Sequence, residues 1–165
     1  MSPANPSPPP LKPADVARRL DAAQAQCAAR GAQLTALRRE VLELLLLRQG
    51  SAKAYDLQDD MRARHGRVAP TTVYRALEFL MEQQLVHRVD TLNSFVVCNL
   101  DHGPHDHHHG HTMMLVCSRC GQVTEVHDDP ATEAIRRALH DDAPGFHATG
   151  IEIKGVCGAC QAASA

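Results

Sequence analysis

Residues 70–98 read PTTVYRALEFLMEQQLVHRVDTLNSFVVC, and their reading decides the fold. Val73, Ala76, Leu77 and Leu80 recur at i, i+3, i+4 and i+7, the spacing of one helix face. Pro70 suits the first turn, where its missing N–H costs nothing. The opposite face carries Thr71, Arg75 and Glu78, with Tyr74 at its edge. Hydroxyl, guanidinium and phenol on one face suit base edges and phosphates in a major groove; the plain alternative is a solvated helix face. LVHRVDTLNSFVVC then predicts two short strands around a turn containing Asn93.

Three helices are expected upstream. Val16, Leu20, Ala23 and Cys27 mark a helix over 15–30 that Gly31 ends, with Cys27 a core residue rather than a reactive thiol. Thr35 caps a second, which turns Leu37, Val41, Leu44 and Leu45 inward. A third covers about 54–64, followed by the turn RHGRVAP. Helices followed by a hairpin predict a winged-helix DNA-binding domain over 15–98. Residues 1–14, rich in proline, read as a disordered tail. They lack the apolar core of a signal peptide, so a cytoplasmic protein with no membrane partner is expected.

Downstream the composition changes. Residues 1–90 carry thirteen Lys/Arg against ten Asp/Glu, a net of +3, while residues 91–165 carry four against nine, a net of −5. Nine of eleven histidines and five of six cysteines fall in that acidic half, so two domains with different partners are expected. Residues 99–111 read as a His-rich hinge. Residues 112–165 read as strand, CSRCG knuckle, strand, a helix after Pro130, a strand over 149–156, and CGAC. This α+β module is small for an independent core, so it is expected to dimerise. The fold class is α+β throughout.

Cys117-x-x-Cys120 and Cys157-x-x-Cys160 supply four thiolates. Two such turns complete a closed tetrahedral site, which predicts structural zinc. Redox dithiols are the alternative, but such pairs sit near a βαβ pattern, which this reading does not find. A second site is conditional on hairpin register. A turn on Leu92-Asn93 pairs Thr91 with Ser94 and His87 with Cys98, placing imidazole and thiolate on one face. Glu125 and His111 then offer the remaining ligands, with His109 the rival of His111. A mixed N/S/O tetrahedron suits zinc, giving at least two zinc ions per chain.

With these residues in hand, the chain resembles the ferric uptake regulator (Fur) superfamily, and within it the zinc uptake branch. The resemblance rests on LTALRREVLELL (34–45), APTTVYRALEFLMEQQLVHRV (69–89), SFVVC (94–98) and CSRCG…CGAC, and spans about residues 15–161. It implies a homodimeric repressor that takes zinc as corepressor, binds double-stranded operator DNA and silences zinc-import genes. By motif position it implies DNA contacts at Tyr74, Arg75 and Tyr55, and regulatory zinc ligands at His87, Cys98 and Glu125, with His111 or His109 completing the set. Three alternatives stand beside it. One is an iron or manganese/peroxide sensor of the same superfamily, which a cysteine at the wing disfavours. Another is a zinc store or chaperone built on the histidine tract. The last is a metallohydrolase, for which HExxH and similar motifs are missing, so no enzyme and no small-molecule substrate are expected.

Overall fold

The computed structural model describes residues 11–48, 50–98, 112–127, 129–146 and 148–163. The chain divides into two compact units between residues 100 and 101.

The first unit runs α1(Pro13–Ala29), α2(Ala36–Arg48), α3(Ala54–His65), α4(Pro70–Glu82), β1(Val86–Val89), a 3-10 turn (Asp90–Leu92) and β2(Ser94–Val97). Helix α1 starts two residues before the expected point. Pro13 presets φ for its first turn, and Leu11 packs on the core just ahead of it. The helix closes as the sequence suggests. Gly31 adopts φ +69, and the N–H groups of Gly31 and Ala32 donate to the carbonyls of Ala28 and Cys27, satisfying two orphan acceptors. Val16, Leu20, Ala23 and Cys27 are all buried, as are Val73, Ala76, Leu77 and Leu80 of α4.

Helix α2 is where the periodic reading fails in part. Val41, Leu44 and Leu45 are buried, but Leu37 is 37% exposed, while Leu42 and Leu46 are inside. The reason is local: Leu37 lies in the first turn, beside an open hollow of about 300 Å³ that Thr35, Arg38, Thr72, Arg75 and Ala76 also line. Arg38 closes one wall, its guanidinium 3.6 Å from the centroid of the Phe79 ring.

The exit from α4 directs the hairpin. Gln84, a non-glycine residue at φ +61, takes the left-handed position, and the N–H of buried Leu85 donates to the Leu80 carbonyl. Arg30 of α1 holds this corner, donating to the Gln83 carbonyl at 2.8 Å and to Gln84 Oε1 at 2.7 Å. The strands pair antiparallel with Val86 opposite Val97, His87 opposite Val96 and Val89 opposite Ser94. The expected pairing of His87 with Cys98 is therefore displaced by two residues. Asp90–Leu92 form a 3-10 turn and Asn93 sits at φ +47, so the loop takes four residues instead of two. Since side chains alternate with period two, a shift of two keeps His87 and Cys98 on the same face. Ala52 adds a third rung to this sheet, exchanging two backbone hydrogen bonds with Phe95.

The second unit runs β3(Thr112–Cys117), β4(Val123–His127), α5(Asp129–Asp142), β5(Ile151–Gly155) and α6(Gly158–Ala162). The sheet order is β4-β3-β5, with β4 antiparallel and β5 parallel to β3. A parallel pair bridged by a helix is thus present after all, because β5 returns to the far side of β3. The absence of a βαβ-like crossover no longer argues against a redox role; the geometry of the cysteines has to decide that question. Cys117 lies opposite Gly155, so both strands end at one edge of the sheet and each runs directly into its knuckle.

Candidate metal centres and nucleic-acid interface

The four knuckle cysteines converge. Their sulfurs all lie within 4.8 Å of one another, and Cys120 Sγ is 3.7 Å from Cys157 Sγ. Zinc–sulfur bonds of ~2.3 Å give a tetrahedron edge of ~3.8 Å, so the donor set fits that ion. Backbone contacts fix the arrangement. Ser118 donates through N–H (2.8 Å) and hydroxyl (3.0 Å) to the Gly155 carbonyl, tying the two strand ends together. Arg119, inside the first knuckle, donates to the Cys160 carbonyl at 3.1 Å. Sequence reading passed over Arg119, although a cation between two ligands of a thiolate site was the available signal.

The thiols have unlike proton affinities. The Cys157 N–H, 3.3 Å from Cys117 Sγ, and the Cys120 N–H pull the Cys117 thiol down to about 6. Burial and the neighbouring sulfurs push Cys160 up to about 12. Four anionic sulfurs this close repel one another, and a divalent cation is what removes that conflict. Two dithiols would not need to share one centre, so the geometry supports the closed metal site over the redox reading.

The second constellation lies at the open end of the wing. His87 stands half-buried on β1, and Cys98, 4% exposed, follows β2, where its N–H donates to the Leu85 carbonyl. A ring nitrogen of His87 and Cys98 Sγ lie within 4.8 Å. That separation suits two ligands of one ion. Glu125 occupies β4 of the second unit, opposite Met114 and half-buried. His111 and His109, like the other histidines of the tract, lie outside the described residues.

The outer face of α4 presents Thr71, Tyr74 and Arg75 to solvent, Tyr74 being 41% exposed. Tyr55, in the first turn of α3, is 67% exposed. Phenol, hydroxyl and guanidinium are thus uncovered polar groups on a scaffold with a buried apolar core. Among the described residues no helix is long and apolar enough to cross a membrane.

Comparison with known proteins agrees with this architecture. The model of the Ferric uptake regulator family matches residues 29–154. A zinc uptake regulation protein of Escherichia coli (strain K12) is 42% identical over 139 residues, covering 81% of this chain and 76% of the relative. One from Mycobacterium tuberculosis (strain ATCC 25618 / H37Rv) is 32% identical over 135 residues, covering 81% of this chain and 98% of the relative. Among solved structures, a zinc uptake regulator complexed with zinc and DNA superposes with a TM-score of 0.78 at 38% identity, covering 90% of this chain and 97% of the other. Two cysteine knuckles behind a winged helix, carried on a sequence this similar, place the chain in the ferric uptake regulator family.

Proposed function

We propose that the chain is a zinc-responsive transcriptional repressor, which binds operator DNA as a zinc-loaded homodimer and silences zinc-uptake genes. It is a regulator and not an enzyme, and it works in the cytoplasm, where the DNA is. One observation carries the reading. His87 and Cys98 bring an imidazole and a thiolate within 4.8 Å of each other, on the hairpin that α4 feeds directly. A thiolate selects zinc over manganese, magnesium or calcium. The zinc uptake regulators at 42% and 32% identity support the same metal.

In this reading Cys117, Cys120, Cys157 and Cys160 hold a structural zinc. His87, Cys98, Glu125 and His111 hold the regulatory one, with His109 the alternative fourth ligand. The regulatory ligands belong to both units, so occupancy selects one arrangement of the dimer's two reading helices. Half-sites on DNA have fixed spacing, so only one arrangement binds both. A zinc preference of ~3 kcal/mol for that arrangement changes DNA affinity about a hundredfold. Thr71, Tyr74, Arg75 and Tyr55 make the DNA contacts. Leu115 and Ile153, paired across β3 and β5 and both exposed, offer apolar surface to the second copy.

The test is a DNA-binding titration at buffered free zinc, comparing wild type with Cys98→Ser on a palindromic A·T-rich duplex. Wild type is expected to bind above a zinc threshold. Cys98→Ser is expected to fold and dimerise, keep its knuckle zinc and fail to bind. Equal binding by both proteins without added zinc would remove Cys98 from sensing. Restoration of wild-type binding by iron or manganese, and not by zinc, would change the metal assigned to the family member.

A further inference from the structure

Cationic side chains of the first unit fall into two groups. Most are committed within the protein. Arg18 pairs with Asp15, Arg39 with Asp21, Arg48 with Asp60, Arg62 with Asp59, Arg64 with Glu40 and Glu43, and Arg88 with Asp90. Arg30 and Arg38 donate to backbone carbonyls. Arg19 is engaged as well. Lys12, Lys53, Arg67 and Arg75 differ: among the described residues no carboxylate or carbonyl receives their charged groups, and all four are exposed. Lys12 stands ahead of α1, apart in sequence from α3 and α4. Arg75 already belongs to the reading face. Lys53 immediately precedes α3, two residues from Tyr55, and Arg67 follows α3 in the turn that leads into α4.

We infer that Lys53 and Arg67, at the two ends of the helix that precedes the reading helix, are phosphate contacts, one for each backbone bordering the major groove. The inference rests on the reading of the chain as a DNA-binding regulator, and it adds residues that the motif resemblance does not mark. Three observations converge on it. A cation that no group among the described residues engages keeps its full charge for an external anion. Helix α3 has twelve residues, so its two ends stand ~18 Å apart, on the scale of a major groove ~12 Å wide plus the reach of the side chains. The turn bearing Arg67 is fastened to α3, where the Gln58 amide donates to the Val68 carbonyl at 3.4 Å, so the cation sits on a braced loop. Lys53 is braced too, its N–H donating to the Asp56 carboxylate at 3.2 Å.

Phosphate contacts add affinity without sequence preference and release counterions, so salt dependence reports them. Zinc-loaded wild type, Lys53→Ala, Arg67→Ala, Arg75→Ala and the ion-paired control Arg62→Ala are to be titrated with the A·T-rich palindrome and with a scrambled duplex at several salt concentrations. Lys53→Ala and Arg67→Ala are each expected to weaken both duplexes by the same factor. Each should also reduce the slope of log K against log salt by about 2 for a dimer that loses two phosphates. Arg75→Ala should instead narrow the gap between the two duplexes, and Arg62→Ala should leave the slope alone. A wild type that binds with a slope neither Lys53→Ala nor Arg67→Ala alters overturns this inference by itself. So does weakened binding at unchanged slope, the sign of a merely structural role. A wild type that binds neither duplex at any zinc level overturns the regulator reading, and this inference falls with it.

Discussion

The two units reach stability by different means. The buried apolar cluster of the described residues is drawn entirely from the first unit, from Val16 to Phe95, with leucines of α2 and α4 at its centre. The second has a thin sheet with one helix of any length. Among the described residues its buried side chains are few: Met113, Met114, Val116, Thr132 and two of the knuckle cysteines. A unit that buries so little apolar surface needs another source of cohesion, and the four thiolates supply one. The difference also divides the labour. A scaffold packed by apolar contacts can hold its reading surface and the His87–Cys98 pair steady, while the second unit leans on its thiolates for cohesion.

That contrast is open to a direct test. Stripping zinc with a strong chelator, or substituting Cys117→Ser, is expected to unfold the second unit and leave α1 to α4 folded. Structural zinc sites contribute on the order of 10 kcal/mol or more to small folds at neutral pH. Circular dichroism should retain most of the helical signal while amide exchange of β3, β4 and β5 becomes fast. A single cooperative collapse of both units would break the comparison. The mirror experiment is Leu45→Ala. Leu45 is 1% exposed, and its truncation is expected to cost about 2–5 kcal/mol of the first unit's stability. Zinc content at the knuckles should stay at its wild-type value. Loss of knuckle zinc in that variant would show the two units to be energetically joined.

Much of this was legible in the sequence, for a physical reason. The period of α1 and α4 is set by one buried face, so Cys27 and Leu77 could be placed from spacing alone. The knuckles were legible because two CxxC turns have few uses other than a shared metal. Three features were not legible. The turn between β1 and β2 is decided by Asn93 entering the left-handed region, and a two-residue loop fits the same letters. Leu37 follows the period of α2, but it borders an open hollow beside the start of α4, which no sequence period reveals. The parallel placement of β5 depends on tertiary crossover, for which no local pattern exists. Lys53 and Arg67 were hidden for another reason. They look like any surface cation until the partners of most of the others, and their own places at the two ends of α3, are known.

The smallest expected effect lies at Cys27, inside the apolar unit. It is fully buried, and burial raises its thiol above the ordinary value, outweighing the lowering influence of Arg30 and Arg38. The folded protein therefore holds this proton more tightly than the unfolded chain does. Below the unfolded pKa of 9.0 both states are protonated and the residue adds no pH dependence. As pH rises from there towards the folded value, only the unfolded chain gives up the proton, so stability falls. Cys27→Ala should remove that alkaline loss while costing ~1 kcal/mol at neutral pH for the small cavity it leaves. Denaturant melts of both proteins at neutral pH and above pH 9 measure the two effects together. A wild type that loses no more stability than Cys27→Ala in alkali would mean that the thiol ionises in place. The core around α1 would then admit water, and the first unit would be less tightly closed than its contrast with the second requires.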